Sequence, residues 1–188
     1  MNFKLKLFSL FVFSLCFTGC GYHLAEDDGL TARYNSISVP YAIGDNDGSL
    51  TAAVIKEIAR SGTFEYRDCG GSLTLKIKKI DLSQENIGFR YDRKKRGKLT
   101  DDIIPTEMRM TLVAEVVVVE AASGKQVLGP IKLSASIDFD HDYYFSRNGI
   151  NVFSLGQLSD VDAAYVDVQE PLEEILAKKI VDYISQSW

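Results

Sequence analysis

The stretch EMRMTLVAEVVVVE, Glu107 to Glu120, decides the fold. Along it Met108, Met110, Leu112, Ala114, Val116 and Val118 fall on one face of an extended chain, and Arg109, Thr111, Val113, Glu115, Val117 and Val119 fall on the other, because successive side chains of a strand point to opposite sides. The first row is wholly apolar and the second is half polar, so the segment reads as a long strand with one face in a core. Downstream, Ala122 to Lys125 contains the turn pair Ser123-Gly124, after which Ile131, Leu133, Ala135, Ile137 and Phe139 alternate with Lys132, Ser134, Ser136 and Asp138. These two strands are expected to pair antiparallel. Upstream, Gly70-Gly71 precedes Leu73, Leu75 and Ile77, which alternate with Thr74, Lys76 and Lys78. The phase then slips at Lys78-Lys79 before Ile80 and Leu82, which fits a β-bulge.

Further out, Ile37, Val39 and Tyr41 alternate with polar residues, and Pro40 confines that strand to an edge or to its own end, so it is expected to be short. Asp45 to Ser49 supplies N-cap candidates, and Leu50, Val54, Ile55 and Ile58 recur at helical spacing until Gly62, a glycine stop. A brief alternation at Phe64 and Tyr66 follows. At the C-terminus Val161, Tyr165, Val168, Leu172, Ile175, Leu176, Ile180, Tyr183 and Ile184 trace a second helical stripe, which Pro171 either kinks or opens. Glu170, Glu173 and Glu174 precede Lys178 and Lys179, the charge order that a helix dipole favours. The order strand, helix, three strands, helix gives an α+β fold, a mixed four-stranded sheet with two helices packed on one face. The domain is expected to span residues 36–188.

One sheet face is then left without helices. Val113, Val117 and Val119 lie on it, and contiguous apolar residues on an open face mark either a partner surface or a place covered by a loop of the same chain. A second feature is charge. Arg90, Arg93, Lys94, Lys95, Arg96 and Lys98 stand with a single acid, Asp92, in a stretch between two strands. A positive tip of this kind attracts phosphates or carboxylate-rich surfaces, and Phe89 and Tyr91 beside it suit an amphiphile with anionic head groups. A solvated loop is the plainer reading.

The N-terminus reads as an export signal. Lys4 and Lys6 precede a nearly unbroken apolar run from Leu7 to Phe17, and Thr18-Gly19 stand before Cys20. The run is too short for a membrane span, which needs about 20 apolar residues. Small residues before a cysteine resemble the bacterial lipobox, so residues 1–19 are expected to be removed and Cys20 acylated; that covalent lipid is the only prosthetic group expected. Residues 20–35 then form the acylated terminus and its tether. Removing residues 1–19 from the 188 leaves 169, with 19 basic residues against 26 acidic ones and a formal net charge of −7, a balance that argues against nucleic acid. Cys69 remains the sole unmodified thiol, so packing has to hold the fold without an internal disulfide.

Catalytic groups are hard to find. Only His23 and His141 occur, and in Asp138-Phe139-Asp140-His141-Asp142 the aspartates share one face of a strand while His141 points to the other, which favours a surface acidic cluster over a metal site. Cys69 has no cation beside it in sequence, and no nucleophile elbow or phosphate loop is visible. No enzyme and no metal are expected.

Taken in order, Cys20-Gly21-Tyr22-His23-Leu24, Ile37-Ser38-Val39-Pro40, Ile58-Ala59-Arg60-Ser61-Gly62-Thr63-Phe64, Leu73-Thr74-Leu75, Arg109-Met110-Thr111-Leu112 and Ser123-Gly124-Lys125 resemble the LPS-assembly lipoprotein family, LptE, over nearly the whole mature chain. The resemblance implies a lipid-anchored protein on the periplasmic side of the outer membrane that plugs an LptD-like β-barrel, binds lipopolysaccharide through basic residues and catalyses no reaction. Two other classes share these residues' plain reading: a different outer-membrane lipoprotein cofactor, such as a pilotin or a cell-wall synthase activator, and a periplasmic metal-dependent hydrolase.

Overall fold

Two very long strands form the frame of the molecule. The computed structural model describes residues 29–93, 99–140 and 161–186. In chain order these form α1 (Leu30–Arg33), β1 (Ser36–Ser38), α2 (Ser49–Ser61), β2 (Glu65–Tyr66), β3 (Leu73–Arg93), β4 (Leu99–Glu120), β5 (Gln126–Asp140) and α3 (Val161–Gln186). The signal segment, Cys20, His23, the link Lys94 to Lys98, and His141 with Asp142 lie outside the described residues.

The sheet is mixed, in the order β2-β1-β3-β4-β5, with β1 parallel to both its neighbours and β3, β4 and β5 antiparallel. The α+β class and the antiparallel pairing of β4 with β5 therefore stand as expected. The sheet has a fifth strand beyond the four read from sequence. Glu65 and Tyr66 join the outer side of β1, and two residues are too few to carry a recognisable alternation. β1 is short, as Pro40 requires, but it lies inside the sheet. Ser36 and Ser38 are buried along with Ile37, and their hydroxyls are used. Ser72 N donates to Ser36 Oγ at 3.0 Å, and Gly71 N donates to Ser38 Oγ at 2.8 Å. Gly71 is required there, since a Cβ would stand 2.6 Å from the Ser38 nitrogen.

Both long helices cover one face. Leu73, Leu75 and Ile77 of β3, Met110, Leu112, Ala114, Val116 and Val118 of β4 and Ala135 of β5 are buried beneath Leu50, Val54 and Ile58 of α2 and Leu172, Leu176, Ile180 and Ile184 of α3. The local reasons match the sequence signals. Asp45 receives Thr51 N at 2.9 Å and Thr51 Oγ1 at 2.6 Å, which fixes the entry to α2, and Gly62 ends the helix with φ of 65°. Pro171 sits inside an unbroken α3, where it removes one backbone donor. Lys56 Nζ meets Glu174 Oε1 at 2.7 Å across the two helices. The bulge read at Lys78-Lys79 is present as a register shift between Lys79 and Asp81.

The domain also takes in part of the segment read as tether. α1 is one helical turn, and the Tyr34 hydroxyl donates to Glu120 Oε1 at 3.0 Å, tying the incoming chain to the end of β4. A hydrogen bond from Ser123 Oγ, with this one from Tyr34 second, holds the Glu120 carboxyl below its ordinary pKa.

Candidate functional site

The face of β3, β4 and β5 away from the helices can be read row by row from the register. Thr74, Val119 and Gln126 form one row, Lys76 and Val117 the next, then Lys78, Glu115 and Lys132, then Asp81, Val113 and Ser134, then Ser83, Thr111 and Ser136, and last Glu85, Arg109 and Asp138. Val113, Val117 and Val119 thus lie along the central strand with Glu115 in file between the first two; Asp81 and Ser134 flank Val113, Thr74 and Gln126 flank Val119, and Val117 has Lys76 on one side and the Gly129-Pro130 irregularity on the other. All three valines are half-buried, and among the described residues no helix packs on this face. Opposite charges stand directly across strands at Lys78, Glu115 and Lys132. Arg109 Nε and Nη2 donate to the two Asp138 carboxylate oxygens at 2.7 and 2.8 Å, which lowers the Asp138 pKa and raises that of Arg109.

Beyond this three-stranded region no further strand among the described residues pairs with the hairpin. β5 ends with Asp140 opposite Glu107, and among the described residues the last β-bridge on the other side of β3 joins Ile43 and Lys78, with Lys79 N donating to Ile43 O at 2.8 Å. Past those points β3 and β4 run on as a two-stranded ribbon, with compensating register shifts between Asn86 and Phe89, to the closing pair Arg93 and Leu99. Of the basic stretch, Arg90 and Arg93 lie near the far end of β3. Arg90 is an exposed ribbon residue and Arg93 closes the ladder, whereas Lys94, Lys95, Arg96 and Lys98 lie outside the described residues, as does the acylation candidate Cys20. Sequence reading missed the ribbon itself, and with it the pairing of Phe89 with Pro105 and of Tyr91 with Ile103.

On the helix side, Lys79 Nζ reaches Glu173 Oε1 at 2.8 Å from the bulge to α3, with Glu173 Oε2 buried and unpartnered. A cavity of about 210 Å³ adjoins this pair, lined also by Asn46, Asp47, Leu82 and Gln169. A hollow of about 450 Å³ between the outer sides of α2 and α3 is lined by Ala53, Pro171, Ile175 and Lys178 and by two ion pairs, Lys56 with Glu174 and Arg60 with Glu57. Cys69 is exposed. Asp138 is engaged by Arg109, Asp140 ends β5, and among the described residues no three His, Cys, Asp or Glu side chains gather as metal ligands. Among the described residues, too, no helix is long and apolar enough to cross a membrane.

No protein-family profile and no curated protein matches the chain. Among solved structures it is similar to bacterial lipoproteins. One, from Caulobacter crescentus, is 17% identical with a TM-score of 0.48, the match covering 85% of this chain and 92% of that one. The rare lipoprotein B of Shewanella oneidensis is 15% identical, TM-score 0.47, over 80% and 94% of the two chains. A minor lipoprotein of Acinetobacter baumannii is 13% identical, TM-score 0.44, over 81% and 91%. Likenesses of this depth leave function to be argued from the residues of this chain.

Proposed function

We propose that this protein is a non-catalytic lipoprotein of the outer membrane, held on the periplasmic side by acyl chains on Cys20, that acts like LptE as plug and assembly partner of an LptD-like β-barrel in lipopolysaccharide transport. The observation that carries the reading is the helix-free sheet face with its seam of Val113, Val117 and Val119. Three half-buried valines on a face without helices among the described residues suit a partner surface, and a face to be laid in lipid would not carry Lys76, Lys78, Lys132, Glu115 and Asp81 beside them. The lumen of an outer-membrane barrel is polar, and a charged face with a narrow apolar seam complements it. In this reading Arg90, Arg93, Lys94, Lys95, Arg96 and Lys98 meet the phosphates of lipopolysaccharide at the end of the hairpin, where guanidinium groups bind bidentately.

Co-purification tests the reading. The acylated chain, pulled from detergent-solubilised membranes, is expected to bring down an LptD-like barrel, and Val117→Arg is expected to lose it while keeping the wild-type melting temperature within a few degrees, because the site is half-open. Recovery of a secretin or a penicillin-binding protein in place of the barrel would move the chain to the pilotin or synthase-activator class.

A further inference from the structure

The charges on the sheet face away from the helices are sorted by sign along β4. Beside Val117 and Glu115 stand Lys76, Lys78 and Lys132, three cations against one acid, a formal balance of +2. Beside Val113, Thr111 and Arg109 stand Asp81, Glu85 and Asp138, three acids against one cation, a balance of −2. Lys76, Lys78, Lys132, Asp81 and Glu85 are all exposed. Asp138 is already held by Arg109 through both its oxygens, so a neighbour meets the acidic half chiefly at Asp81 and Glu85.

The two halves do not cancel for a surface laid against them. The middle of the cationic rows lies about five residues of β4 from the middle of the acidic rows, roughly 17 Å. That is about twice the Debye length of ~8 Å at physiological salt, so each half acts separately. A surface that only has to stay dissolved is better served by interspersed signs. Here Lys76 stands two residues from Lys78 on the same strand, and Lys78 and Lys132 flank a single carboxylate, so some self-repulsion is kept. Charge across an interface sets orientation and rejects wrong juxtapositions more than it adds raw affinity.

We propose that this face is a polarity key. It accepts a wall that offers carboxylates opposite Lys76, Lys78 and Lys132 and cations opposite Asp81 and Glu85, and it refuses the same wall turned end for end. The key presupposes the reading that the face meets the lumen wall of an LptD-like barrel, and it adds the direction in which β4 runs along that wall. The patch is large enough for such a role. Six rows about 6.7 Å apart on three strands about 4.8 Å apart cover roughly 500 Å² of this chain, and the partner's share brings the contact to about the 1,000 Å² of a specific interface.

The test is co-purification of the full acylated chain from detergent-solubilised membranes. In the milder variant, Lys76→Glu with Asp81→Lys, the substituted residues stand across from Val117 and Val113, so no like charge is set directly opposite in the ladder. It erases the division and leaves the net charge and the valines unchanged. Adding Lys78→Glu and Glu85→Lys reverses the division, again at constant net charge. Barrel recovery is expected to fall about threefold for the first variant and about tenfold or more for the second. The first is expected to keep the wild-type melting temperature within a few degrees, so it decides the matter if the second fails to fold. Charge reversals on the inner wall of the barrel are expected to restore recovery by the second. A neutral variant, Lys76→Gln, Lys78→Gln, Asp81→Asn and Glu85→Gln, is expected to lose less than the reversed one. Undiminished recovery by the first variant, or an equal loss from neutral and reversed variants, would overturn the key and leave the valine contact standing. Absence of any barrel from the wild-type sample would remove the barrel reading itself, and the key with it.

Discussion

Leu176→Ala is expected to lower the unfolding free energy by about 3 kcal/mol and the melting temperature by roughly 6–12 °C. Leu176 is fully buried on α3, one turn from Leu172 and one from Ile180, and it faces the sheet that β3, β4 and β5 supply. Truncation removes three heavy atoms from that packing and leaves a cavity that a long strand and a long helix are too stiff to collapse. Alanine is the better helix former, so the loss is not one of helix propensity. Against a total stability of about 5–15 kcal/mol the change is large. The neighbouring Ile175 is 38% exposed, and Ile175→Ala is expected to cost under about 1 kcal/mol. Denaturant melts of both variants check the phase of the helix, and equal losses would show that α3 presents another face to the sheet.

Loss of Cys20 is expected to have the largest effect on where the protein resides. Several acyl chains, each burying CH₂ groups at about 0.8 kcal/mol apiece, give stable anchoring where one chain gives marginal binding. No helix among the described residues could replace them. Substituting Cys20 alone would strand the apolar segment uncleaved, so the informative variant carries Cys20→Ala behind an ordinary cleavable export signal. It is expected to move from the membrane to the soluble periplasmic fraction by a factor of a hundred or more, with any remainder released by salt. Mass spectrometry of the native mature N-terminus is expected to find Cys20 acylated. An unmodified Cys20, or a variant that stays on the membrane through a salt wash, would remove the anchor from the account.

How far these features could be read without coordinates follows from where a core presses on the chain. In residues 107–120, 73–78 and 131–139, helices cover one sheet face, so burial writes a two-residue period into the sequence. The Gly62 stop, the Ser123-Gly124 turn and the slip at Lys78-Lys79 were legible because each answers a local backbone demand. Residues 83–106 were not legible as strand. Residues 83–88 lie past the β1 side of the sheet, and residues 89–93 and 99–106 lie also beyond the last pair of β4 with β5, so no steady alternation is imposed, and Gly88 and Pro105, which look like breakers, fall at or beside the bulges. Buried Ser36, Ser38 and Glu173 were hidden for a different reason: each is satisfied, in whole or in part, by a partner far along the chain, Ser72, Gly71 or Lys79. The valine seam was legible from parity alone, since β4 keeps its alternation from Val113 to Val119. The apolar ribbon face was not, because Phe89 and Ile103 become neighbours only through the hairpin register.

The central claim is that the seam meets another protein. A photo-activatable side chain placed in living cells at Val113, Val117 or Val119, with Lys56 on the outer side of α2 as control, tests it most directly. The account predicts adducts from the three seam positions that contain an LptD-like barrel, and none from position 56. Adducts confined to this chain's own residues, or none at any seam position, would contradict it.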